Sequence, residues 1–243
     1  MESLESLLVD DIKQEISKRL IDCHQECIHF MNPFLNVQNV PLLEVSLKLL
    51  KEKDSCIHGG LFYDSDNPKK LHIEIDNSYW SHALKCCNNC RDCWLLTRDY
   101  ICAHETGHYL HFLENLQFFE DYEISCQAFR NDSSFKTMNA FARLDTFREF
   151  VAEVFALAYF SERNKLESVI DFAALSYPCC FDLLYGFFIN NSQLTLCLSE
   201  LLKFSVSEAN SFMDSACFHS LPYSYPSAKS SEDYFFQCCK RSN

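Results

Sequence analysis

His104 and His108 stand four residues apart in the run His104-Glu105-Thr106-Gly107-His108. On an α-helix, residues four apart share a face, so two imidazoles at this spacing can offer nitrogens to one cation. Glu105 follows the first histidine directly and can reach a water bound to that cation. A divalent metal lowers the pKa of such a water toward neutrality, and a carboxylate beside it can take the proton. The five residues therefore supply two metal ligands and a base in the pattern H-E-x-x-H. A catalytic zinc centre needs a third protein ligand, which must come from elsewhere in the chain.

The flanks of the motif are apolar: Leu95, Leu96, Ile101, Cys102, Ala103, Tyr109, Leu110, Phe112 and Leu113 surround it. A helix apolar on most sides is a buried one. Buried His and Glu side chains need partners. A metal would satisfy them, and so would hydrogen bonds within an ordinary core histidine pair.

Two segments offer a third ligand. Glu114 lies six residues beyond His108. A ligand at that distance requires the helix to stop and the chain to turn back, which a glycine midway permits. His111 holds the midway position, so the helix is expected to run over about 96–118 and to carry Glu114 away from the histidines. The better candidate lies in 146–160, an apolar helix with two acids, Glu149 and Glu153, four apart and so on one face. Phe150, Val151, Val154, Phe155, Leu157 and Ala158 would bury the rest of it, and acids inside such a helix are costly unless paired or metal-bound. Glu149 is then the expected ligand. Glu153, one turn on, is expected to accept a hydrogen bond from the free ring nitrogen of a ligand histidine. The plainer alternative pairs Glu149 with Arg148 or Arg143 on a half-exposed face.

His104-Glu105-Thr106-Gly107-His108 followed on a second helix by Glu149-Phe150-Val151-Ala152-Glu153 resembles the gluzincins, zinc metallopeptidases whose third ligand is a downstream glutamate. Within that group it is most similar to the catalytic domain of anthrax lethal factor and related toxin peptidases. Those carry His-Glu-x-Gly-His and, after a gap of similar length, Glu-Phe-Phe-Ala-Glu. The resemblance covers two short pieces of the chain. It implies a zincin-like fold, one Zn²⁺ per chain on His104, His108 and Glu149, Glu105 as catalytic base and Glu153 in support. It implies hydrolysis of a peptide bond in a protein or peptide substrate. The chain departs from the pattern at Ala142, where lethal-factor-like sequences have a tyrosine aimed at the oxyanion. The stretch His219-Ser220-Leu221-Pro222-Tyr223-Ser224-Tyr225-Pro226 is similar to a His-Pro element found late in several gluzincin-like peptidases. Tyr223, Tyr225 and His219 are accordingly the candidates for oxyanion contact. The rival reading from another class is a non-catalytic or self-inhibited zinc-binding interaction module, in which a cysteine or the N-terminal helix closes the metal's fourth position.

The rest of the chain must position these groups. Its 243 residues are 48% hydrophobic, enough for one packed core. With only 4 glycines, abundant Leu, Phe and Glu point to a mainly α protein with a small β-sheet, an α+β arrangement. One domain over 1–243 is expected: an N-terminal helical part (1–55), a small sheet and the active helix (56–118), and a helical half carrying the third ligand (119–243). Leu4, Leu7, Leu8, Ile12, Ile16, Leu20, Cys23 and Cys27 recur at helical spacing over 3–30. Residues 41–52, opening on Pro41, read as a further helix. Leu61-Phe62-Tyr63 and Leu71-His72-Ile73-Glu74-Ile75 read as strands joined by a turn-rich run, with His72 and Glu74 together on a solvent face. Helices are expected over 166–176, 181–189 and 194–204.

A net charge of −13 argues against binding to nucleic acid through phosphates. No run of apolar residues is long enough for a transmembrane helix, and the first residues lack a signal-peptide pattern. The 15 cysteines are an odd number, which together with these features points to free, buried thiols in a cytoplasmic or other reducing compartment. A translocated bacterial effector meets the same description. Cys86, Cys87, Cys90 and Cys93 form a cluster, in which Cys87, Cys90 and Cys93 with Cys102 would suit a small structural zinc.

Overall fold

In the computed structural model, residues 4–48, 59–63, 70–76, 91–132, 134–166, 169 and 194–215 are described. The fold is mainly helical with one three-stranded sheet. Its helices are α1 (Leu4–Met31), α2 (Arg91–Glu114), α3 (Leu116–Asn131), α4 (Phe135–Glu162), α5 (Leu194–Leu201) and α6 (Val206–Ser215); its strands are β1 (Glu44–Lys48), β2 (Gly59–Tyr63) and β3 (Leu71–Asp76). Among the described residues, no helix is long and apolar enough to cross a membrane.

α2 and α4 form the centre. Residues 100–111 of α2 and 150–160 of α4 are buried without interruption, so each helix is enclosed on all sides. α1 lays Ile16, Leu20, Cys23, Cys27 and Met31 against this core, a stripe at the three- and four-residue spacing expected of it. β2 and β3 pack on α2, α3 packs on α4, and α5 and α6 cover α4 from a further side. The buried cysteines Cys23, Cys27, Cys102 and Cys126 are free thiols.

β3 is the central strand, parallel to β1 and antiparallel to β2. Ile73 and Ile75 are wholly buried toward α2. A Cβ on Gly59 would fall 2.7 Å from Ile101 Cγ2 and 3.2 Å from Glu74 O, so only glycine lets β2 lie this close to α2. β1 overturns the helix expected over 41–52. Glu44-Val45-Ser46-Leu47-Lys48 alternates polar and apolar residues, and its pairing with β3, Val45 opposite Ile73, decides the matter. His72 also differs from expectation: it is half-buried and meets Glu74 Oε1 at 2.8 Å.

Helix boundaries follow from local chemistry. α2 stops at Glu114, four residues short of the expected end, because Asn115 caps the next helix: its Oδ1 accepts from Phe118 N at 3.2 Å and its Nδ2 donates to Phe204 O at 2.8 Å. Ser134 caps the start of α4. Just past the end of that helix Asn164 takes φ 54, and Lys165 N donates to Phe160 O and Asn164 N to Ser161 O, a left-handed stop that satisfies the last carbonyls.

Candidate metal centre

The close crossing of α2 and α4 makes the site. A Cβ on Gly107 would lie 3.0 Å from Ala152 Cα, 3.1 Å from Phe155 Cβ and 3.2 Å from Ala152 O. Glycine at the fourth position of the motif thus sets the helix separation, with Ala152 opposite it. At that separation two polar stripes meet inside an apolar core: Tyr100, His104 and His108 on α2, and Glu153 and Glu149 on α4.

His104 Nε2 lies 3.2 Å and His108 Nε2 3.4 Å from the same atom, Glu149 Oε2. The three ligand atoms fall within 4.8 Å of one another. Metal bonds of about 2.05 Å at tetrahedral angles put ligand atoms about 3.3 Å apart, so the spacing fits one small divalent ion. The two imidazoles are nearly perpendicular, at 87°. Their side chains are 4% and 5% exposed, whereas that of Glu149 is 22% exposed, so solvent reaches the group from the α4 side. The buried His104, His108 and Glu149 group could therefore hold a metal ion.

The supporting contacts follow the same geometry. Glu153 is wholly buried, with Oε1 3.1 Å from His104 Nδ1 and Oε2 accepting a hydrogen bond from Tyr100 Oη. Oε1 and Nδ1 face each other without a well-aligned hydrogen bond. Arg148 donates to Glu149 Oε1 at 2.7 Å and to Asp145 Oδ1 at 3.1 Å. Glu149 thus meets both sequence alternatives at once, one oxygen on the histidines and the other on Arg148.

Charge in the group is uneven. Burial pulls His104 down, but the carboxylates of Glu153, Glu149 and Glu105 outweigh it and hold His104 well above its usual range. His108, dominated by burial, falls to about 4 and is neutral. Burial would raise Glu149, but the Arg148 cation and the hydrogen bonds with His104 and His108 hold it well below the usual carboxylate range. His104 thus sits between two carboxylates, and a divalent ion would need its Nε2 free of a proton. Glu105 is buried. Burial above all, with Glu149 and Glu153 adding to it against His104 and Arg148, raises its carboxyl to about 7.

Glu114 is not part of the group: its Oε1 accepts from Val37 N at 2.8 Å. His111 lies on the same α2 stripe but faces an aromatic cage of Phe118, Phe119 and Phe147, with neither ring nitrogen partnered. Behind the motif, Leu43 N donates to His24 Nε2 at 3.1 Å, which leaves the ring proton on Nδ1, 2.8 Å from Thr106 Oγ1. Thr106 Oγ1 in turn donates to Cys102 O at 2.7 Å. His24 so ties α1 and the approach to β1 to the second turn of the motif.

Tyr223, Tyr225 and His219 lie outside the described residues, as do Cys86, Cys87, Cys90 and the side chain of Cys93. Sequence reasoning missed Tyr100, Gly107 as a spacer, and His24. Tyr100 carried a signal, four residues before His104 and so on its face. No known protein family, curated protein or solved structure matches the chain.

Proposed function

We propose that the protein is a zinc metallopeptidase of the gluzincin type with a zincin-like arrangement around α2. The observation that carries this reading is the convergence of His104 Nε2 and His108 Nε2 on Glu149 Oε2 at 3.2 and 3.4 Å, next to Glu105 in the motif. Two neutral-type nitrogens and one carboxylate oxygen are the donor set that suits zinc. Among the described residues no cysteine joins the group, which favours a catalytic over a closed structural centre. When bound, zinc supplies Lewis acidity, lowering the pKa of a water toward 7 and polarising a carbonyl. Glu105 takes the water's proton as that water attacks the scissile carbonyl, then hands it to the leaving amine. Glu153, itself bonded by Tyr100, stands 3.1 Å from the His104 ring on the side away from the shared centre and would orient it. The sheet beside α2 offers backbone edges on which an extended peptide can lie.

The test is hydrolysis of a quenched-fluorescence peptide library by the zinc-loaded protein and by Glu105→Gln. The variant is expected to bind zinc as the parent does and to lose hydrolysis, since an amide cannot accept the proton. Full activity in Glu105→Gln contradicts the assignment.

A further inference from the structure

Arg148 and Glu149 are neighbours in α4, and adjacent residues on a helix do not face each other. Arg148 nevertheless reaches Glu149, because it is bent back and held. Its terminal nitrogen bridges Glu149 Oε1 at 2.7 Å and Asp145 Oδ1 at 3.1 Å. Its guanidinium lies over the Tyr122 ring, 5.2 Å from the centroid, and Tyr122 Oη donates to the same Asp145 oxygen at 2.8 Å. Asp145 is buried, and the arginine side chain is only 27% exposed. Two helices thus cooperate to fix one cation on one oxygen of the ligand carboxylate.

The two oxygens of Glu149 are thereby divided. Oε2 faces both imidazoles and Oε1 is committed to Arg148. We propose that Arg148 is a positioning residue that holds Glu149 to single-oxygen ligation, so that the metal's remaining position stays free for water and substrate. This rests on the metallopeptidase reading above. A carboxylate whose second oxygen lost its cation would turn that oxygen to the next one available, the metal, and zinc-type centres accept a fifth ligand. The position so filled would be the fifth, beside the water, which the substrate carbonyl would otherwise take.

Cobalt(II) in place of zinc makes this visible, because its visible absorption weakens as coordination rises from four to five. The parent protein is expected to bind one cobalt per chain with the intense bands of a four-coordinate site. Arg148→Met is expected to bind cobalt with a several-fold loss of molar absorbance. Arg148→Gln, which reaches neither carboxylate and keeps a polar side chain, reads the same change where the methionine variant does not fold. Because one nitrogen makes both contacts, Arg148→Lys is expected to keep the parent spectrum. Parent-like spectra in both the methionine and glutamine variants would overturn the proposal and leave the metal centre standing. An equal loss of absorbance in Arg148→Lys would also overturn it, since the charge on Oε1 would then not be what matters. A parent protein that takes up no cobalt, or a Glu149→Ala variant with the parent spectrum, would overturn the metal reading itself.

Discussion

Gly107→Ala adds one methyl group at the point where α2 and α4 come closest. The new carbon would meet Ala152 Cα at 3.0 Å, Phe155 Cβ at 3.1 Å and Ala152 O at 3.2 Å. Carbon atoms rest at about 3.5–4.0 Å, so the helices must part by roughly half an ångström. Two of the three close atoms belong to backbone and cannot swing away. Against this stands the intrinsic gain of Ala over Gly in a helix, about 1 kcal/mol. Overpacking of this kind costs about 1–3 kcal/mol, so the metal-free protein is expected to be between unchanged and modestly destabilised. Metal binding at the candidate centre would be less forgiving, because ligand distances must hold within about 0.2 Å and the donors sit on both helices. If metal binding restores the parent separation, the strain is charged to binding and weakens it by roughly 5- to 140-fold. Competition with a chromogenic chelator measures the affinity, and a thermal melt of the metal-free protein measures the fold. A Gly107→Ala variant that is more stable by the propensity gain alone and binds zinc as the parent does would refute the reasoning.

Acid should weaken the fold through His24. Burial lowers it to about 4 from a usual 6.5, so on acidification the unfolded chain takes up the proton first. The stability is present above pH 6.5 and is lost as pH falls toward 4, by about 3 kcal/mol at most. Denaturant unfolding at pH 7 and pH 4.5 should show a smaller difference for His24→Gln than for the parent, and equal differences would contradict the account. His111→Leu is expected to stabilise the protein by about 1–2 kcal/mol, since it removes a buried ring with two unpartnered nitrogens from an aromatic cage. A lower melting temperature in that variant would show that the ring has a polar partner.

The grouping of the candidate ligands was legible because it is written at helical spacing. His104 with His108, and Glu149 with Glu153, each share a face by virtue of being four apart, and the burial of both helices follows from their apolar neighbours. What brings the two faces together was not legible. It depends on Gly107 meeting Ala152 across a helix crossing, which no local pattern announces. Arg148, the rival partner for Glu149, takes one carboxylate oxygen while the histidines take the other, so both pairings stand together. β1 was misread because the apolar residues of 41–52 satisfy a loose helical count, while the alternation in 44–48 acquires meaning only beside β3. The end of α2 at Glu114 was misplaced because the stop is made by the Asn115 side chain, capping α3 and bonding to Phe204. Polar caps that reach distant backbone are settled by tertiary contact.

The central claim, a metal held by His104, His108 and Glu149, is tested most directly by metal content. Purified protein from zinc-supplemented medium, dialysed against metal-free buffer, is analysed by inductively coupled plasma mass spectrometry alongside Glu149→Ala and Glu114→Ala. One zinc per chain is expected in the parent and in Glu114→Ala, since the Glu114 carboxylate of the parent accepts from Val37 N instead, with zinc lost in Glu149→Ala. Zinc retained without Glu149, or lost without Glu114, would contradict the account.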